Sequence, residues 1–231
     1  MSTRNDFFQD PLPVGRKLPL AIPGGNVVYR DAVNATGGYQ LSLQEVLASA
    51  AGKEKRGAIA GLLGRNGTVA GEQVDAAYQS FKTALETAYA NLDLKPIIGA
   101  TSFLKQLRSA GIKVVPNTGY NAATAQSLSD KMGWKAGQEY DLLDTADQVT
   151  QSRPAPDMIV LAQAKLGIAS AQHIIKVGDS AIDIEEGKNA ACGYTVGVTT
   201  GAQTAAQISE AGPDFIIDRL EDLKLRLPLS L

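Results

Sequence analysis

Apolar and polar residues change their spacing twice along the chain, and those changes divide it into three stretches. Up to residue 26, Pro11, Pro13, Pro19 and Pro23, with Gly15, Gly24 and Gly25, interrupt every regular pattern. Only Leu18 to Ile22 is apolar enough for a strand. Pro19 lacks a ladder donor, so the segment predicts an edge strand or none. From Val27 the spacing is helical. Arg30 to Thr36 reads as helix, entered from Val27-Val28-Tyr29. Ser42 suits an N-cap for Leu43 to Ala50, and Glu45 can close a capping box. Gly52 to Leu63 and Gln73 to Asn91 follow as helices. In the second, Val74, Ala77, Tyr78, Phe81, Leu85 and Ala88 recur at helical spacing.

After Lys95-Pro96 short apolar runs alternate with helical segments. The helices predicted are Ala100 to Ala110, Ala122 to Met132, Pro156 to Leu166, Ile184 to Ala191 and Ala202 to Ala211. Between them lie candidate strands at Ile112 to Val115, Leu142-Leu143, Ile174 to Val177 and Tyr194 to Val198, with a last one at Phe215 to Ile217. This alternation predicts an α/β protein with a parallel sheet covered by helices on both faces. Ligands of such sheets bind beyond the carboxyl ends of the strands.

Composition narrows the chemistry. Lys and Arg total 22 against 24 Asp and Glu, a net charge of -2, which gives no electrostatic reason to expect nucleic acid or an anionic membrane. No apolar run reaches membrane-spanning length, and the opening MSTRNDFFQDP is not a signal peptide. A single cysteine fits a reduced, cytoplasmic compartment, and a monomer or homodimer is expected. The lone Cys192 excludes an internal disulfide framework and a cysteine zinc site. The lone His173 precedes an apolar run and suits a structural place, and no G-x-S-x-G elbow accompanies it.

Three loops after strands carry the polar residues of interest. Val114-Val115 leads to Pro116-Asn117-Thr118-Gly119-Tyr120-Asn121. A hydroxyl and free backbone N–H groups ahead of a helix suit a phosphoryl oxygen; equally, Asn117 and Thr118 could only cap that helix. Ser152-Arg153-Pro154-Ala155-Pro156-Asp157-Met158 stiffens the approach to a helix and limits where Arg153 points. A guanidinium there can neutralise phosphate, or be a surface Arg in a proline-rich turn. In Lys176-Val177-Gly178-Asp179-Ser180-Ala181-Ile182-Asp183, two carboxylates one helical turn apart can face one point, a hard-oxygen arrangement suited to magnesium. Asp183 could instead be a helix N-cap.

In this order the three loops resemble the second, third and fourth motifs of the haloacid dehalogenase superfamily, over nearly everything from Gly25 to Leu223. The resemblance is greatest to the phosphonoacetaldehyde hydrolase-like and phosphoglycolate phosphatase-like branch. Asn117 to Asn121, Arg153 to Met158, Gly178 to Ala190 and Val198 to Ala202 carry it, Gly178 to Ala190 most specifically. It implies a Rossmann-like core, residues 1–30 and 94–231, and a helical cap inserted at 31–93. It also implies a magnesium-dependent phosphatase or phosphonatase-type hydrolase acting on a small phosphorylated metabolite through an aspartyl-phosphate. Thr118, with Asn117 and Gly119, would bind the phosphoryl group, Arg153 stabilise charge, and Asp179 hold magnesium with Asp183 supporting. In phosphonoacetaldehyde hydrolases a cap lysine forms a Schiff base with the aldehyde. By spacing from Gly52 that position falls on Lys55, with Lys53 beside it, and a substrate-recognition role is the favoured one here.

The family's first motif, an apolar strand ending in a nucleophilic Asp and a Gly-Thr turn, has no counterpart. No Asp lies between Asp10 and Asp31. Asp10 is a weak candidate, because Pro11 and Pro13 replace the turn and the spacing is wrong. The nucleophile would also ligate the metal, so its loss removes two functions. A non-catalytic relative that binds a phosphometabolite or a protein partner is one explanation. An altered reading of an ordinary gene start is the other, favoured by the abrupt change of text near Pro23.

Overall fold

Runs of two to five residues, most of them carrying Val or Ile, are too short for helices and pair instead into a sheet. The computed structural model describes residues 14–16, 25–42, 44–46, 55–90, 94–201, 203–227 and 229. Its strands are β1 (Val14–Arg16), β2 (Val114–Thr118), β3 (Asp144–Thr145), β4 (Ile175–Gly178), β5 (Tyr194–Val198) and β6 (Phe215–Ile217). They run in the order β3-β2-β1-β4-β5-β6, and every pairing is parallel. The chain builds outward on one side of β1 and then on the other, so the order reverses there, the place where such sheets open a crevice for ligands.

β1 is central, with Val14 level with Val114 and Ile175, and Arg16 level with Pro116 and Val177. The sequence pattern did not predict it, because three residues after Pro13 carry no apolar run. The expected strand at Leu18 to Ile22 lies outside the described residues. β2 runs through Pro116 to Thr118, starting two residues later and ending three residues later than the pattern marks. β3 falls at Asp144–Thr145 rather than at Leu142-Leu143, whose Leu143 packs against the core instead.

Helices α1 (Gly25–Gly37), α2 (Lys55–Leu63) and α3 (Gly71–Ala90) lie in sequence between β1 and β2. After them come α4 (Ala100–Ser109), α5 (Ala122–Lys131), α6 (Asp157–Leu166), α7 (Ala181–Asn189), α8 (Ala205–Glu210) and α9 (Leu223–Arg226). The chain divides into two compact units, Met1–Leu20 with Leu94–Leu231, and Ala21–Asp93. The boundary precedes α1 rather than falling at residue 30, because Tyr29 and Val33 are buried with the helices that follow, Tyr29 edge-on to Phe81 at 5.5 Å. Ile59, Ala77 and Leu85 are buried in the same helical unit. Glu45 Oε2 accepts from Ser42 N at 2.8 Å and Ser42 Oγ from Glu45 N at 3.3 Å, so the capping box forms. Among the described residues no helix is long and apolar enough to cross a membrane.

In the sheet-bearing unit Phe103, Leu104 and Leu107 of α4 pack with Val114, Trp134, Ile175, Val177 and Val196. A polar brace fixes the start of β2: Asp141 accepts from Val114 N at 2.9 Å and from Arg108 Nε and Nη2 at 3.0 Å each. Burial pushes the Asp141 carboxyl up, but these hydrogen bonds outweigh it and hold the group below its ordinary value.

Candidate active site

Because the sheet is parallel, the carboxyl ends of β2 and β4 lie at the same edge, and Thr118 and Asp179 occupy those ends. Thr118 is buried, and its Oγ1 accepts from Tyr120 N at 3.3 Å. The helix that follows is capped by Asn121, whose side chain accepts from Thr124 N at 2.9 Å. Capping therefore does not account for Asn117 and Thr118. Asn117 turns inward, where Nδ2 donates to Glu186 Oε1 at 2.9 Å and Oδ1 accepts from Lys176 at 2.7 Å.

β4 delivers the chain to Gly178 and Asp179, and α7 begins three residues earlier than its apolar spacing marks, with Ser180 in the N-cap position. Asp183 thus lies inside the first turn and is not the N-cap. A Cβ at Gly178 would overlap Asp183, and one at Gly201 would overlap the Asp179 carboxylate, so both acids depend on a neighbour without a side chain. Asp183 is fully buried. Its Oδ1 is ion-paired with Arg153 and lies 3.7 Å from Lys176 Nζ, and its Oδ2 accepts from Ser180 Oγ at 2.5 Å.

Arg153 is no surface residue of a proline-rich turn: it is 4% exposed. Its loop is held by Gln151 N donating to Asp157 Oδ2 at 3.0 Å and by Asn189 Nδ2 donating to Pro154 O at 2.8 Å. Burial works against the guanidinium's charge, but Asp183, Glu186 and Asp179 outweigh it and hold Arg153 above its ordinary value. Its Nε is buried with no hydrogen-bond partner among the described residues. A buried charged donor left open costs free energy unless a ligand satisfies it, and a tetrahedral oxyanion would.

The donor set suits a hard cation in part. Magnesium commonly uses one or two carboxylates and completes its shell with water and phosphate oxygens. Asp179 fits the direct ligand. Asp183, with both oxygens already engaged, fits a supporting place. Among the described residues no three His, Cys, Asp or Glu groups come together as a metal site. Lys176 and Glu186, both fully buried, were not singled out from the sequence. A lysine between Ile175 and Val177 in a buried strand was the signal available. Lys53 and Asp10 lie outside the described residues. Lys55 opens α2 in the helical unit, with its ammonium 5.7 Å from the centre of the Tyr29 ring.

A parallel sheet with a helical unit placed after its first strand, and with Thr, Arg and paired Asp residues in the order found here, is the architecture of the haloacid dehalogenase-type proteins. The chain belongs to that family: the haloacid dehalogenase-like hydrolase model matches residues 23–191. The match starts where the sequence text changes. A phosphonoacetaldehyde hydrolase of Parabacteroides distasonis is 34% identical over 151 residues, 65% of this chain and 56% of that protein. The chain thus spans little more than half the length of that relative. Among solved structures, a hydrolase from Pseudomonas syringae superposes with a TM-score of 0.80 at 19% identity, covering 95% of this chain and 98% of that one. A phosphonoacetaldehyde hydrolase-like protein from Oleispira antarctica gives 0.77 at 21% identity, covering 94% and 91%. These two likenesses establish the α/β fold with its helical cap.

Proposed function

We propose that the chain binds a small phosphorylated or phosphono metabolite together with magnesium, on the site of a phosphatase or phosphonatase-type hydrolase. The open Nε of buried Arg153 carries this reading. The guanidinium is positioned by Asp183 through one nitrogen and keeps another donor for an anion. Thr118 would hold a phosphoryl oxygen, and Asp179, supported by Asp183, would hold magnesium, which screens phosphate charge and polarises the phosphorus–oxygen bond. The experiment is calorimetric titration of inorganic phosphate with magnesium present. Binding is expected, with a loss of about tenfold or more in Arg153→Ala. No binding by the unaltered protein overturns the reading.

A second reading concerns turnover. An aspartyl-phosphate needs a carboxylate at the end of β1, and the residues after Arg16 in sequence are Lys17 and Leu18. On this reading the protein binds without hydrolysing. Hydrolysis of p-nitrophenyl phosphate with magnesium separates the two: background rates in the unaltered protein, rescued by Lys17→Asp or Leu18→Asp, identify a binder that lacks only its nucleophile. Turnover abolished by Asp10→Asn would make Asp10 the nucleophile.

A further inference from the structure

Lys176 is fully buried within a central strand, where parallel sheets ordinarily hold only apolar side chains. Its Nζ donates to Asn117 Oδ1 at 2.7 Å and is paired with Glu186 Oε2 at 2.5 Å. Asn117 Nδ2 closes the circuit by donating to both Glu186 oxygens, at 2.9 and 3.2 Å. The result is a ring of three side chains, one each from β2, β4 and α7. Gly187 allows it: a Cβ there would sit 2.7 Å from Lys176 Cβ and 2.7 Å from Thr195 Cγ2, so a larger residue would push α7 off the strand.

Every member of the ring adjoins a residue of the candidate site. Asn117 immediately precedes Thr118, Lys176 lies three residues before Asp179, and Glu186 lies one helical turn after Asp183 on the same face of α7. Lys176 Nζ is itself 3.7 Å from Asp183 Oδ1. Cohesion alone does not explain such a ring, because buried ion pairs are often no more stabilising than well-packed apolar groups of similar volume. A directional ring can do what an apolar cluster cannot, which is to fix the position of β2 against α7.

We propose that Lys176, Asn117 and Glu186 are positioning residues that set the separation between the Thr118 hydroxyl and the Asp179 and Asp183 carboxylates, so that a phosphoryl group and a divalent cation bind cooperatively. The proposal rests on the phosphate-and-magnesium reading of the site. Its observable is a coupling factor, the phosphate affinity with saturating magnesium divided by that without it. Such factors commonly run from about 5 to about 150.

The test is calorimetric titration of inorganic phosphate, with and without magnesium, on the full chain and on Lys176→Met with Glu186→Gln. That double variant removes both charges together and leaves no buried ion alone. Its melting is followed in parallel. The unaltered protein is expected to show coupling of about tenfold, falling to roughly threefold or less in the double variant while phosphate affinity without magnesium stays within about twofold. Asn117→Ala, which keeps the ion pair and cuts the link to β2, is expected to lose coupling in the same way and serves if the double variant does not fold. Undiminished coupling in a folded variant overturns the proposal, since a merely structural ring would change melting alone. A wild-type factor of one overturns it and leaves the site reading standing. Failure of the unaltered protein to bind phosphate at all removes both.

Discussion

Asp183→Asn changes one atom type and no volume, so its effect reports charge. The carboxylate is fully buried and pairs with Arg153, accepts from Ser180 and lies 3.7 Å from Lys176. In the variant Arg153 stays buried with its partner neutralised. Breaking a buried pair in this way costs about 3–5 kcal/mol. Lys176 keeps Glu186 at 2.5 Å, which argues for the lower end of that range. At about 2–4 °C per kcal/mol for a chain of this size, melting should fall by roughly 6–12 °C. Trp134, the one tryptophan, is 1% exposed in the core of the sheet-bearing unit, so its fluorescence follows that unit without the helical one. Asp179→Asn is the control. Arg153 keeps Asp183 there, so stability should change by about 1 kcal/mol or less, while magnesium binding, read by calorimetry, should be lost. A fall of less than about 2 °C in Asp183→Asn would refute the view that this carboxylate carries the Arg153 charge.

Asp141 has a carboxyl held below its ordinary value in the folded chain, so its contribution is present above the unfolded value near about 3.9 and lost as pH falls through the lower, folded one. Asp141→Asn should cost about 1–2 kcal/mol at pH 7, and its urea midpoint should fall less than that of the unaltered protein between about pH 5 and about pH 3, roughly a unit either side of the unfolded value. Gly201→Ala should weaken magnesium binding at least about fivefold by displacing the Asp179 carboxylate, with a smaller melting change than Asp183→Asn; an unchanged magnesium isotherm would refute that crowding. Burial pushes the Cys192 thiol up to about 12, so at pH 7 a disulfide reagent should label the native chain at least about tenfold more slowly than the urea-unfolded one.

Periodicity was enough to mark every described α-helix of the sheet-bearing unit except the four-residue α9, since an amphipathic helix repeats its signal over several turns. It failed where structure depends on partners far away in the chain. β1 is three residues long and held by β2 and β4 on either side, so nothing local in Val14-Gly15-Arg16 announces it. The start of α7 was hidden because Ala181 and Ile182 precede the residues that set its apolar spacing, and Ser180 rather than Asp183 takes the N-cap position. Asp179, Asp183, Thr118 and Arg153 could be picked out because loops after strands carry polar chemistry in this class of sheet. Lys176 and Glu186 were not, because a lysine in a strand and a glutamate in a helix look solvated until folding brings Asn117 between them.

The formal charges around the site explain why anion and cation should depend on each other. Arg153 and Lys176 supply two positive charges, and Asp179, Asp183 and Glu186 three negative ones, all in groups no more than 6% exposed. A phosphate dianion entering alone would bring the excess to minus three in surroundings where charge is weakly screened. A magnesium ion entering with it returns the balance to minus one. Phosphate without magnesium should therefore bind weakly, and the gain on adding the metal should survive high salt better than a surface effect would, because buried charges are screened less. Equal phosphate affinity with and without magnesium would refute this balance of charges, since the two ions would then bind without sensing one another.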